Sequence, residues 1–237
     1  MPNKLVWDET GKRFFETGVS RGILFVQDNT GAYGAGVAWN GLTAVNHSPD
    51  GGELTDFWAD NIKYASIRSA ETFGGSIEAY TYPDEFAECD GSVEAKDNGS
   101  TVPGVYFGQQ ARKRFGFAYR SQIGSDTQDP NEDGAPFKLH LIYNASVNPS
   151  ERAYSTINDS PDAATLSWDF DTTGVVVEGY KPVAHIEIDS RKFTDDTKKG
   201  YLQALIDILE GSSTADAELP TPTEVVHILA TGKKTGE

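Results

Sequence analysis

Four histidines, at positions 47, 140, 185 and 227, are the residues of this chain best suited to general acid–base work or metal ligation. None sits in an H-E-x-x-H or other paired spacing, and neither a G-x-S-x-G elbow nor a phosphate-cradling P-loop is present. With nothing nearby in sequence to tune them, His140 and His185 read as structural or surface residues of strands. Cys89 is the only cysteine, which excludes an intrachain disulfide and a Cys-rich zinc site. The run Asp129-Pro130-Asn131-Glu132-Asp133-Gly134 places oxygen donors at loop positions 1, 3 and 5 and glycine at 6, as an EF-hand does, but position 12 is His140 where a bidentate Glu should close the shell. Its flanks read as strands, so the run is expected to be an acidic hairpin loop. The 36 acids could supply a glycosidase pair on almost any β scaffold, so their abundance assigns no site. The chemistry read from residue types therefore predicts no catalytic residues, no metal and no cofactor.

Charge and length narrow the partners. The chain has 237 residues, with 20 Lys+Arg against 36 Asp+Glu and a formal net charge of −16. This balance excludes broad attraction to nucleic-acid phosphate or to an anionic membrane surface. Gln109 to Gly124 runs against the trend, holding Arg112, Lys113, Arg114 and Arg120 with no acid. Identical neighbouring subunits are expected to neutralise this stripe. The opening MPNKLVWDETGKRFF lacks the apolar core of a signal peptide, and the best apolar run, Gly22 to Val26, is far short of the roughly 20 residues a membrane helix needs.

The elements that must position these residues are mostly strands. Period-2 alternation recurs from end to end, punctuated by Gly, Asn, Asp and Pro, and predicts a mainly β, sandwich or barrel-like single domain over residues 1–237. Expected strands include Arg21–Gln27, Val37 to Val45, Ile62–Ile67, Ser76–Tyr82, Arg114–Gln122, Phe137–Ala145, Thr165–Asp171 and Val183–Asp189. Trp39 and Trp168 read as core residues, whereas Phe57 and Trp58 lie in a loop-like stretch and read as contacts for a partner. Two segments break the β rhythm. Pro83–Asp90 suits a short helical turn, and in Asp195–Glu210 the residues Leu202, Leu205, Ile206 and Leu209 form an apolar helix stripe closed by Gly211. Val93–Val102 and Ser125–Pro136 read as loops, Val225–Leu229 as a final strand, and 231–237 as a flexible tail.

Several strings together resemble the major tail tube proteins of long-tailed, siphovirus-type bacteriophages. They are Glu16-Thr17-Gly18-Val19-Ser20-Arg21-Gly22-Ile23-Leu24-Phe25, Trp39-Asn40-Gly41-Leu42-Thr43, Ala59-Asp60-Asn61-Ile62-Lys63-Tyr64, Tyr82-Pro83-Asp84-Glu85-Phe86-Ala87-Glu88-Cys89-Asp90-Gly91 and Ala153-Tyr154-Ser155-Thr156-Ile157-Asn158-Asp159-Ser160-Pro161. The similarity runs from about residue 5 to about residue 230. It implies a fold related to type VI secretion tube proteins and hexameric rings that stack by self-assembly into a hollow tail tube. It also implies a place in the virion after assembly in the bacterial cytoplasm, with tape measure, tail terminator and distal tail proteins as partners. DNA would pass to the host without specific binding, which an acidic chain suits.

On that reading Ser48–Asp60, rich in Gly and acid yet carrying Leu54, Phe57 and Trp58, is too apolar for an idle loop. Asp50, Gly51, Gly52, Glu53, Leu54, Phe57 and Trp58 are expected to make contacts between subunits or rings. Glu78, opposite Ile77 and Ala79, and Glu187, opposite Ile186 and Ile188, are the candidate lumen-facing acids. A carbohydrate-binding β-sandwich module is the alternative from a different class, and a two-carboxylate glycoside hydrolase a third.

Overall fold

A computed structural model describes residues 4–154, 156 and 163–235. The Ala153–Pro161 string therefore lies largely outside the described residues. In chain order the first strands are β1 (Phe14–Val26), β2 (Val37–Trp39), β3 (Leu42–His47), β4 (Asp50–Gly51) and β5 (Leu54–Ala59). They are followed by β6 (Ile62–Arg68), β7 (Glu71–Thr72), β8 (Gly74–Ala79), β9 (Val93–Asp97) and β10 (Ser100–Phe107). The chain continues through β11 (Phe115–Ser125), β12 (Phe137–Val147), β13 (Leu166–Thr172) and β14 (His185–Asp189) into helices α1 (Asp196–Glu210) and α2 (Pro222–Thr231).

Eight strands form one antiparallel sheet in the order β2-β1-β11-β12-β13-β8-β3, with β14 added beside β12. Strand β12 serves two neighbours: Lys138–Ile142 pairs with β14, and Ala145–Val147 pairs with β13. Both faces of the central strands are buried where they cross the core, which is why Gly22–Val26 of β1 reads as a continuous apolar run. Leu24, Phe117 and Ile142 point into one core with Trp39, Ile77, Phe86, Trp168 and Phe170. Phe25, Ala118, Leu139 and Leu141 point the other way, into a second core closed by the helices. The layering is that of a mainly β sandwich with helices on one outer side.

Helix α1 matches the stripe expected of it. Asp195 caps it by accepting from Lys198 N, Gly211 ends it at φ 72°, and Leu202, Leu205, Ile206 and Leu209 are its buried residues. The segment around Val225 is a helix, not the expected strand. Thr221 and Glu224 form a reciprocal capping box, Pro222 fills the first turn where its missing N–H costs nothing, and Gly232 terminates the helix in the left-handed region. Val225 and Ile228 then meet the stripe of α1 in the second core. The supposed tail begins as the end of α2, and Lys234 Nζ binds Glu218 beyond it. Residues 236–237 lie outside the described part.

Three other expectations change. Val37 to Val45 is two strands: Gly41, at φ 80°, breaks the run so that β2 pairs with β1 and β3 crosses to β8. Residues 93–102 are no loop but fall within the hairpin of β9 and β10, turned at Asn98-Gly99, both with positive φ. Ser48–Asp60 likewise holds β4 and β5 in place of a loop. The short helix at 83–90 is present as a 3-10 turn at Asp84–Glu88 that buries Phe86 in the first core. Among the described residues no helix is long and apolar enough to cross a membrane.

Candidate functional site

The segment between β3 and β8 leaves the sandwich as a projecting arm. At its root Ser48 N donates to Gly74 O at 2.8 Å and β4 pairs with β7. Gly51 is required there, because at φ 81° a side chain would be strained and its Cβ would come within 2.2 Å of Ala70 O. Beyond the root, β5 and β6 form a two-stranded hairpin of their own, tied at its base by Ser69 N to Glu53 O. Asp60 and Asn61, at φ 51° and 61°, build the tip, the left-handed pair that a tight hairpin turn selects.

The arm's side chains are the unusual part. Leu54 is 55% exposed, Phe57 48%, Trp58 69%, Ile62 60%, Tyr64 73% and Ile67 59%. Phe57 pairs with Ala65 and Thr55 with Ile67, so these four share one face. On the other face Asp56 pairs with Ser66, and Lys63 Nζ reaches Asp56 Oδ1 at 2.8 Å beside Trp58. The hairpin thus presents an apolar face and a mixed face, both to solvent. A two-stranded ribbon without a covering layer is marginal at best in water. Of the residues singled out from the sequence, Asp50, Gly51, Gly52 and Glu53 form the root, while Leu54, Phe57 and Trp58 belong to the exposed blade. Sequence reading missed Ile62, Tyr64 and Ile67, which continue the same surface.

Two further apolar surfaces stand out. The hairpin of β9 and β10 exposes Val102, Val105, Tyr106 and Phe107, and the N-terminal segment exposes Leu5, Val6 and Trp7. Trp39 and Trp168 are core residues, as their strand positions imply.

The two candidate acids lie in different settings. Glu78 turns away from Ile77 and Ala79 onto a polar outer face, where its register partners are Ala44 and Ser167 and where Asn46, Ser76, Asp169 and Asp171 follow. Glu187 lies on the side of β14 that carries His185, and its carboxylate binds Lys138 Nζ at 2.8 Å, which also binds Glu16 at 2.6 Å. This ammonium holds Glu187 below the usual carboxylate range. Two of the four members of the basic stripe are paired within the chain: Lys113 binds Glu88, and Arg120 binds Glu210. The stretch at 129–134 is a turn in which Asp129 Oδ1 accepts from Asn131 N at 2.8 Å. Cys89 is buried, and desolvation pushes its thiol up to about 12, so it is inert.

Three of the histidines, which no spacing in the sequence connects, are brought together by the fold. His47, His140 and His185 converge at the root of the arm, where one ring nitrogen of each lies within 4.8 Å of the others. Only the tertiary packing that brings β3, paired with β8, against β12 and β14 at one end of the first core reveals this.

No protein-family model matches the chain, and no relative is found among curated proteins. Among solved structures it is similar to the sheath/tube terminator of an extracellular contractile injection system in its extended state. That likeness has 11% identity and a TM-score of 0.32, over 78% of this chain and 99% of that one. A sheath–tube complex of the same kind of system gives 12% identity and a TM-score of 0.30, over 71% and 88%. At such scores neither likeness decides anything about this chain.

Proposed function

We propose that this chain is the structural subunit of a phage tail tube, assembling with copies of itself into hexameric rings that stack into a hollow conduit. The observation that carries the reading is the arm: a hairpin with large apolar side chains on both faces and, among the described residues, nothing covering either. A second subunit would bury it, and contacts between rings are the role the sequence resemblance implies for this segment. Burying Leu54, Phe57, Trp58, Ile62 and Ile67 would contribute on the order of 1.5–3 kcal/mol each before association costs. Tape measure, terminator and distal tail proteins would meet the tube at its ends, and the virion tail would be its location. Glu78 and Glu187 are proposed to face the lumen, Glu78 together with Asp169 and Asp171 and Glu187 screened by Lys138. A channel poor in free cations lets polyanionic DNA slide without counterion-release attraction at each contact.

Negative-stain electron microscopy of the purified chain tests this directly, with rings or hollow tubes expected. In a second sample residues 54–68 are replaced by two glycines, joining ends that already meet through Ser69 N and Glu53 O. That variant should remain folded and monomeric. Normal tubes from it would refute the role of the arm, and a monodisperse wild-type monomer that binds glycans would replace the whole reading.

A further inference from the structure

We propose that His47, His140 and His185 bind one divalent transition-metal ion of the zinc class at the root of the arm. The three rings come from strands that meet only in the folded chain, and each has a partner that orients it. Ser121 Oγ lies 3.0 Å from His140 Nε2, which leaves His140 Nδ1 turned toward His185 Nε2 at 3.2 Å. The two rings are within 8° of coplanar, with centroids 5.4 Å apart. That separation is close to the greatest the nitrogen contact allows, so the rings lie edge to edge with the two nitrogens pointing at each other. Phe73 stacks on His185 at 4.7 Å and Tyr119 on His140 at 4.6 Å, fixing both ring planes.

His47 closes the group from the third side. Its Nε2 meets Tyr119 Oη at 2.5 Å, and its ring stands edge-on to His185 with centroids 4.6 Å apart. A tyrosine hydroxyl donates or accepts, so it supports either tautomer of His47. His47 is exposed, whereas His140 is buried, so the cluster opens to solvent on the His47 side. A water molecule could complete a fourth position there.

A cation would replace the hydrogen bond between His140 Nδ1 and His185 Nε2 with two ligand bonds. Two imidazole nitrogens on one zinc, with bonds of about 2.0–2.1 Å and tetrahedral angles, stand about 3.3 Å apart. The observed 3.2 Å already matches that span. A modest turn of each ring and a small approach by His47 would converge the three lone pairs. The carboxylate of Glu187, two residues from His185, adds a favourable field for a positive ion, opposed at His140 by the Lys138 ammonium paired with it. Ser121 would act as the outer partner that fixes the His140 tautomer, as in most histidine metal sites. Bound there, the ion would fasten the end of β3, where the arm departs, to β12 and β14. This site does not depend on the tube reading.

The test uses the full chain, stripped with chelator and titrated with Zn²⁺ by calorimetry, with Co²⁺ as a spectroscopic probe. One Zn²⁺ per chain is expected, together with an intense visible cobalt band. His47→Gln, a change at an exposed residue that should leave folding intact, should weaken Zn²⁺ binding more than about 100-fold, and Ser121→Ala about 10-fold or more. His185→Gln provides a second ligand deletion, and His227→Gln on the exposed side of α2 should bind as wild type. Absence of saturable binding, a cobalt spectrum like that of the aqueous ion, or undiminished affinity in His47→Gln would overturn the proposal.

Discussion

Leu205 lies fully buried on α1, in the cluster that joins Leu139, Leu141 and Ile188 of the sheet to Val225 and Ile228 of α2. Leu205→Ala deletes three carbons from a site closed on both sides by separate elements. Partial collapse of α2 over the gap keeps the expected loss near the lower end of measured Leu→Ala costs, about 3 kcal/mol. In a chain of this length each kcal/mol lowers the melting temperature by roughly 2–4 °C, so a fall of roughly 6–12 °C is expected. The assay is urea unfolding of the monomer followed by tryptophan fluorescence. The midpoint should drop at unchanged slope, because the surface exposed on unfolding stays the same. Leu205→Asp would bury an unpaired carboxylate at several kcal/mol and should give no soluble folded chain. Leu54→Ala is the control: the side chain is exposed on the arm, so monomer stability should move by less than about 0.5 kcal/mol while tube formation is impaired. A Leu205→Ala midpoint equal to wild type, or a soluble Leu205→Asp with native melting, would refute the packing of α1.

Acid should destabilise the metal-free chain in a defined window. His140 and His185 are lowered from an ordinary 6.5 to about 4 by burial, so between those values the unfolded chain binds protons the folded one refuses, and stability falls as pH falls. Urea midpoints in chelator should decline from pH 7 to pH 4.5, with roughly 2–3 kcal/mol at stake for the more buried His140, and a flat profile would contradict the cluster. Thr221→Ala removes the capping box of α2 and should cost about 1 kcal/mol in the same unfolding assay, with no change in tube assembly. Glu78→Lys with Glu187→Lys should still assemble but slow DNA passage most at low salt, where screening is weakest; passage at wild-type speed at every ionic strength would remove both residues from the lumen.

What the sequence shows of this fold follows from how locally each element is determined. Helix α1 is legible because Asp195, its apolar stripe and Gly211 all lie within one segment. Strands β11 and β12 are legible through alternating Phe115, Phe117 and Tyr119, and through Leu139, Leu141 and Tyr143. Helix α2 carried its own signal in Thr221-Pro222-Thr223-Glu224, but the β-branched Val225 and Val226 and the flanking prolines pulled the reading toward strand and loop. Of the arm only β6 is legible, as the strand at Ile62–Ile67; β4 and β5 are not, because the hairpin buries neither face, so polar and apolar residues follow no burial rhythm, and the turn residues Gly51, Gly52, Asp60 and Asn61 fall between short strands. Its apolar excess at Leu54, Phe57 and Trp58 is visible in the sequence nonetheless, and the structure leaves these side chains exposed. The histidine cluster had no local signature at all, since each ring comes from a different strand and only the register of β12 with β14 aligns two of them.

If copies of the chain join through the uncovered arm, as proposed, the joining is partly a folding reaction. A ribbon that buries no core of its own should open in the free chain at far less cost than the sandwich does, giving two tiers of amide exchange within one domain. Assembly would then order the blade as it buries it, and the association should show the negative heat-capacity change of coupled folding and binding. Affinity would be modest for the area covered, because part of the contact energy is spent on ordering. On the proposed tube function, such a subunit would stay monomeric when dilute and polymerise only where a preformed end already holds its arm in place.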